Sequence, residues 1–335
     1  MNKKILISDA TLRDGSHACA HQLNLTQIAS YCLAADKAGI PIVEVGHGNG
    51  LGASSLQVGL SKESDISMLE TARKSLFKSK LSIHVIPGFA TIKKDLSTAL
   101  DIGVDIVRVA SHCTEADITQ RHIEFARGKG KEAYGVLMMT HMANADVLLE
   151  QATKMQLYGA EGIILMDSAG AYLPKDVREK VTVLVNGLNV PVGFHAHNNL
   201  GMGIANSLTA IESGAKIIDG TSKGFGAGAG NAQLEVLVAV LEKMGYITGV
   251  DLYKILDTAD FAKKEIVNTV PLIKSDSIIS GLTGVFSGFS KHVTRISKEF
   301  NVDSRDIYKE LGKRKIIGGQ EDIILEVAIK LNKNG

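Results

Sequence analysis

Apolar positions along the chain follow two alternating periods. From residue 4 to about 226, short β-branched runs end in polar or glycine residues, and each is followed by a stretch with helical spacing. The runs predict strands at residues 4–9, 41–46, 81–87, 104–110, 134–140, 162–167, 191–197 and 216–221. Between them, Leu25, Ile28, Ala29, Cys32 and Leu33 share one helical face. Asn24 and Gln27 fit a capping box in front of it, and Gly39 suits its end. Leu148, Ala152 and Met155, closed by Gly159, repeat the arrangement, as do Leu234, Leu237, Leu241 and Met244, closed by Gly245.

Strands that alternate with helices pair in parallel. Eight such units in about 225 residues predict an α/β fold of the (β/α)8 TIM-barrel kind, with a doubly wound open sheet as the alternative. After about residue 250 the strand period fades. Residues 251–268, 296–312 and 321–332 read as helices, with Val270-Pro271 as a break. The expected division is a barrel, residues 1–249, and a C-terminal, mostly helical region, residues 250–335, crossed by a glycine-rich segment at 281–289.

Composition narrows the function classes. A net charge of +1 leaves no basic footprint for nucleic acid. Cys19, Cys32 and Cys113 are far apart and form no CxxC pair, so neither a disulfide framework nor a thiolate zinc site is expected. A reducing, cytoplasmic setting fits. The N-terminal apolar run is too short for a signal peptide, and no run approaches the ~20 apolar residues of a membrane helix. No membrane partner is expected.

Candidate chemistry gathers at strand ends, where barrel active sites lie. Strand 1 leads into Arg13, Asp14 and His17; strand 7 carries His195 and His197, two apart and therefore on one side. Strand 8 alone separates them, so Asp14 can join both histidines. Two imidazoles and a carboxylate leave open positions and suit a divalent ion such as Mn²⁺, Co²⁺ or Zn²⁺. An isolated His-x-His reads equally as a structural or substrate-binding pair. Glu44 can orient Arg13 from inside the barrel. His47, His112 and His141 are candidates for the pocket lining or for structural hydrogen bonds. The glycine run at 224–230 follows the last strand, not the first βα unit, so a dinucleotide site is rejected in favour of a flexible rim loop.

These residues stand in recognisable order. Asp9-Ala10-Thr11-Leu12-Arg13-Asp14-Gly15 and His195-Ala196-His197-Asn198 resemble the superfamily of hydroxymethylglutaryl-CoA lyase and isopropylmalate synthase. A closer resemblance, over nearly the whole chain, is to the 4-hydroxy-2-oxovalerate aldolases. It is carried by Asp14-Gly15-Ser16-His17, the segments at 46–51, 111–117, 137–142 and 226–232, and Gly318-Gly319-Gln320-Glu321-Asp322.

The resemblance implies a class II pyruvate aldolase with a Mn²⁺-type ion on Asp14, His195 and His197. The reaction is reversible cleavage of a 4-hydroxy-2-oxoacid to pyruvate and an aldehyde. Arg13 would steady the enolate and His17 would act as base on the 4-hydroxyl. Ser168 and His195 would contact the 2-oxoacid, with capping of the next turn as the equal alternative for Ser168. An acylating aldehyde dehydrogenase is the implied partner, docking on the C-terminal region. Apart from the resemblance, position alone suits Asn198 to support the ligand histidines or substrate, and Asn231 to cap the helix after the glycine loop. The family's tyrosine in Gly-Val-Tyr-Ser-Ser-Phe is replaced by Phe286, which bears on stereochemical control and aldehyde choice.

Other readings fit less well. A Claisen-type lyase would want a cysteine in residues 224–232, and a synthase Asp-Gly-Glu-Gln after the arginine; neither is present. A Schiff-base aldolase on Lys223 leaves His195 and His197 without a task. A catalytically altered scaffold barrel rests on Phe286 alone.

Overall fold

All eight expected strands form, and they close on themselves. The computed structural model describes residues 3–267 and 269–334; Met1, Asn2, Asn268 and Gly335 lie outside the described residues, among them position 268 of the expected helix 251–268. Strands and helices follow as β1 (Leu6–Leu12), α1 (Leu25–Ala38), β2 (Ile42–Val45), α2 (Asp65–Ser75), β3 (Lys80–Val85), α3 (Ser97–Ile102), β4 (Ile106–His112) and α4 (Gln120–Gly128). Then come β5 (Glu132–Met138), α5 (Ala145–Leu157), β6 (Gly162–Asp167), α6 (Pro174–Gly187), β7 (Val192–Ala196), α7 (Gly203–Glu212), β8 (Ile217–Gly220) and α8 (Leu234–Lys243). Each strand pairs in parallel with the next and β8 pairs with β1, so the barrel is closed and the open sheet is excluded.

Strand alternation sorts the side chains into two cores. Outward residues such as Val43, Val107, Ile163 and Phe194 pack under the helices. Inward residues Ile42, Ile106, Tyr134, Ile164 and Ile217 form a separate apolar floor. The same parity carries Ser8, Glu44, Arg108, His195 and Asp219 inward, one step nearer the mouth.

Helix signals were sound, with local rotations. Asn24 and Gln27 form the capping box of α1, and Gly39 ends it at φ 80°. Its buried face holds Ile28, Tyr31, Cys32 and Ala35, whereas Leu33 is 37% exposed, because Tyr31 turns inward to a polar partner on β1. Leu148, Ala152 and Met155 are fully buried; Met244 is not.

Beyond the barrel lie α9 (Leu252–Glu265), α10 (Ser275–Thr283), α11 (Ser290–Phe300), α12 (Ser304–Arg314) and α13 (Asp322–Asn334). Ile255 and Ala262 of α9 join the barrel's outer core. Val285, Phe289, Val293, Ile307, Leu311 and Val327 build a core of their own for α10–α13. The single helix expected at 296–312 is two: Asn301 turns left-handed at φ 49°, and Asp303 caps α12. Helix α10 was not expected at all. Side-chain and backbone bonds tie this region to the barrel: Asn199 Nδ2 donates to Ser287 Oγ (2.9 Å), Ser287 N–H to the Ser168 carbonyl (3.1 Å), and His141 Nε2 meets the Gly284 carbonyl (2.8 Å). Among the described residues no helix is long and apolar enough to cross a membrane.

Candidate active site and metal centre

The end of β1 is built to aim two residues. Its register on β2 shifts between Asp9 and Leu12, an irregularity that redirects the strand. Asp9 faces outward and is held by Thr11 N–H (2.9 Å), the Thr11 hydroxyl (2.5 Å) and the Tyr31 hydroxyl (2.6 Å). Past this anchor the chain bends into a 3-10 turn, Asp14–Cys19, which the Ser16 hydroxyl braces on the Arg13 carbonyl (2.7 Å). Arg13 and Asp14 are thereby buried at the mouth, 3% and 4% exposed.

There Asp14 meets His195 and His197; one ligand atom of each lies within 4.8 Å of the others. Among the described residues His195 Nε2 and His197 Nδ1 are buried without hydrogen-bond partners, and His195 Nδ1 is spoken for by Asp219 Oδ2 at 2.8 Å. Unpaired buried lone pairs beside a carboxylate are costly unless something binds them, and the N,N,O donor set suits a divalent cation with open positions. The residues fit such an ion. Burial alone would raise the Asp14 carboxyl; Arg13 first, then the histidines, hold it well below the usual carboxylate range. Burial pushes His197 down to about 3, so Asp14 and His197 are both in metal-binding form at neutral pH.

Arg13 is fixed on three sides. Its Nε donates to Glu44 Oε1 at 2.5 Å, and its Nη1 to Asp14 Oδ1 and the Gly48 carbonyl, both at 3.1 Å. Nη2 has no partner. A cavity of about 270 Å³ opens here, and Arg13, Asp14, His17, His197 and Phe286 all line it. Its far side is apolar, with Ile86, Phe89, Met138 and Met166. His17 packs edge-on against His21, ring centroids 4.8 Å apart, and burial lowers it to about 4, partly offset by Asp14. Gly48 lies against its ring, so a side chain at that position would have to displace His17.

Other expected residues are placed as follows. Phe286 stands on the cavity wall, edge-on to Phe289 at 5.5 Å. Ser168 is fully buried behind the wall, its hydroxyl accepting from Met139 N–H at 3.0 Å. His112 lines the cavity, while His47 and His141 bond to backbone carbonyls. Asn198 accepts from Gly203 N–H at the start of α7 (3.0 Å). Asn231 caps no helix: its amide donates to Asp14 Oδ2 and to the Phe225 carbonyl, and its Oδ1 has no partner. The glycine loop is laced down, by Asn198 N–H on the Gly230 carbonyl (2.8 Å) and Ala229 N–H on Asn199 Oδ1 (2.9 Å). Lys223 pairs with Glu235 and Asp260, away from the cavity. Sequence reasoning missed Arg108, Asp219, His21 and His84. The first two carry a signal in retrospect: charged residues in the middle of apolar strands.

The chain matches the HMGL-like family over residues 4–262 and the DmpG-like communication domain over residues 271–333. It is 62% identical to 4-hydroxy-2-oxovalerate aldolase of Spirochaeta aurantia over 331 residues, covering 99% of this chain and 97% of that protein. The protein of the same name from Streptomyces tendae is 52% identical, with 98% and 92% covered. In fold it superposes on the carboxyl transferase domain of Rhizobium etli pyruvate carboxylase, solved with pyruvate and biocytin, at a TM-score of 0.84 and 14% identity, covering 99% of this chain and 61% of that one.

Proposed function

The chain belongs to the 4-hydroxy-2-oxovalerate aldolases, and from that premise we propose that it is a divalent-metal-dependent carbon–carbon lyase cleaving a 4-hydroxy-2-oxoacid, such as 4-hydroxy-2-oxovalerate, reversibly to pyruvate and an aldehyde. The observation that carries the metal dependence is the buried triad of Asp14, His195 and His197 with two orphaned ring nitrogens. Mn²⁺ is the ion we favour, with Co²⁺ or Zn²⁺ as substitutes. When bound, the ion supplies Lewis-acid stabilisation to the oxyanion that develops on the pyruvate fragment.

The protein's own groups do the rest. Arg13, held by Glu44 and Asp14, offers its unpaired Nη2 to the 2-oxo oxygen as charge grows there. His17, neutral at working pH, takes the proton of the 4-hydroxyl. As that O–H bond breaks, the C4–O bond becomes the aldehyde carbonyl. The C3–C4 pair moves onto C3 and, through the 2-oxo group, leaves an enolate; protonation at C3 completes pyruvate. Ser168, on the fixed turn behind the wall, is assigned to the substrate carboxylate, with His195 beside it. Phe286 and the apolar side of the cavity take the aldehyde's substituent.

The barrel, residues 1–249, is assigned catalysis. Residues 250–335 are assigned docking of an acylating aldehyde dehydrogenase, supported by the communication-domain match at 271–333. Three free cysteines agree with work in the reducing cytoplasm. The decisive experiment is pyruvate release from a panel of 4-hydroxy-2-oxoacids, with chelator and with Mn²⁺ added back. Activity that persists after the bound metal is stripped refutes the proposal.

A further inference from the structure

One buried side chain without an assigned task joins two that have one. Arg108 lies on β4, 1% exposed, facing inward between Ile106 and Ala110. Its guanidinium spans the barrel. Nη1 donates to Glu44 Oε2 at 2.6 Å and to Ser8 Oγ at 3.3 Å, and Nη2 donates to Asp219 Oδ2 at 2.5 Å. Both carboxylates are shared. The other oxygen of Glu44 holds Arg13 Nε at 2.5 Å, and Asp219 Oδ2 also accepts from His195 Nδ1 at 2.8 Å.

We propose that Arg108 is a positioning residue for the reaction: one guanidinium fixes, through Glu44, the arginine that faces the substrate and, through Asp219, the histidine that ligates the metal. The proposal rests on the metal-dependent aldolase reading. A rigid planar fork can hold two carboxylates in fixed directions, which the single ammonium of lysine cannot. Buried carboxylates left without a cation are strongly destabilising.

Charge accounting points the same way. Asp14, Glu44 and Asp219 face two guanidinium groups, Arg13 and Arg108, leaving one excess negative charge. A divalent cation turns that excess into one positive charge, which a single substrate carboxylate offsets. Without Arg108 the loaded site would be negative by one and both supporting carboxylates would lose a partner. The loss should therefore be felt at both ends of the bridge, at the metal and at Arg13.

Arg108→Lys keeps the charge and removes the fork. Calorimetry should show Mn²⁺ bound at least tenfold more weakly, as is typical when a supporting partner of a ligand is lost. The visible spectrum of the Co²⁺ form should shift. At saturating metal, kcat should fall about tenfold or more with KM changed less than threefold. A folded variant whose metal affinity, Co²⁺ spectrum and kcat all stay within twofold of the parent overturns the proposal. So does a loss confined to one arm, because the bridge is the claim. If Arg108→Lys does not fold, Glu44→Gln in an Arg13→Lys background leaves only the arm through Arg108. Metal affinity should then drop at least threefold below that of Arg13→Lys alone, and no drop overturns the proposal. A parent protein that binds no divalent metal sinks the aldolase reading instead, so the two failures are told apart.

Discussion

Replacing His17 with alanine isolates the proton transfer from everything else in the site. The ring is not among the three metal donors, so Mn²⁺ affinity should be unchanged. Burial takes His17 from 6.5 to about 4, so at pH 7 the neutral form outnumbers the charged one by about a thousand to one. A general base contributes typically ~10²–10⁴ in rate. The lowered basicity of His17 places it in the weaker half of that range, about 10²–10³, or about 3–4 kcal/mol of activation free energy. The assay is pyruvate release from 4-hydroxy-2-oxovalerate at saturating Mn²⁺. In the parent, kcat/KM should fall as pH drops through about 4, because only the neutral ring accepts a proton; the variant should lack that limb. The cavity of about 270 Å³ leaves room for exogenous imidazole, which should restore part of the rate. Full activity in His17→Ala, or loss of metal in step with rate, refutes the role.

Asp14→Asn keeps the shape and removes the anionic ligand. Calorimetry should show metal affinity reduced by about 10²-fold or more, with activity lost in parallel; undiminished affinity would place the ion elsewhere. Phe286→Tyr restores a hydroxyl to the wall. The parent should turn over both C4 stereoisomers within about tenfold of each other, and the tyrosine variant should separate them further by about one hydrogen bond's worth, ~1 kcal/mol; an unchanged ratio removes position 286 from stereochemical choice. Metal-free protein should lose thermal stability between pH 7 and pH 5. Burial lowers His17 and His47 to about 4, His84 and His197 to about 3 and His21 to about 2, so below 6.5 the unfolded chain takes up protons that the folded one refuses. Asp9 and Asp167, raised by burial to about 6, act in the opposite sense but are fewer. A Tm that holds or rises on acidification to pH 5 contradicts this.

The barrel was legible because its signal is local: β-branched runs of the right length, capping residues and glycine stops all sit within a few positions of one another. The ligand triad was legible because His195 in β7 and His197, just past its end, lie two residues apart, and Asp14 follows the strand two places away around the barrel. The supporting charges were not. Glu44 was suspected, but Arg108 and Asp219 look in sequence like polar interruptions of apolar strands, and only closure of the barrel brings them together. Asn231 was misjudged for a related reason: a helix start lies nearby, but the side chain turns back to Asp14. In the C-terminal region, helix α10 hides in a glycine- and serine-rich stretch whose propensity is poor and whose packing comes from α12 and the barrel.

The bonds from Asn199, Ser168 and His141 to the segment 284–287 have a consequence for how such a chain can diverge. Phe286 sits between two of these anchoring points, so its backbone is held by the rim of the barrel while its ring packs on Phe289 at the edge of the C-terminal core. The outer faces of α11–α13 can therefore accumulate changes while the cavity wall keeps its dimensions. The shape of the cavity and the outer surface of the C-terminal helices, though carried by neighbouring stretches of one polypeptide, can be inherited separately.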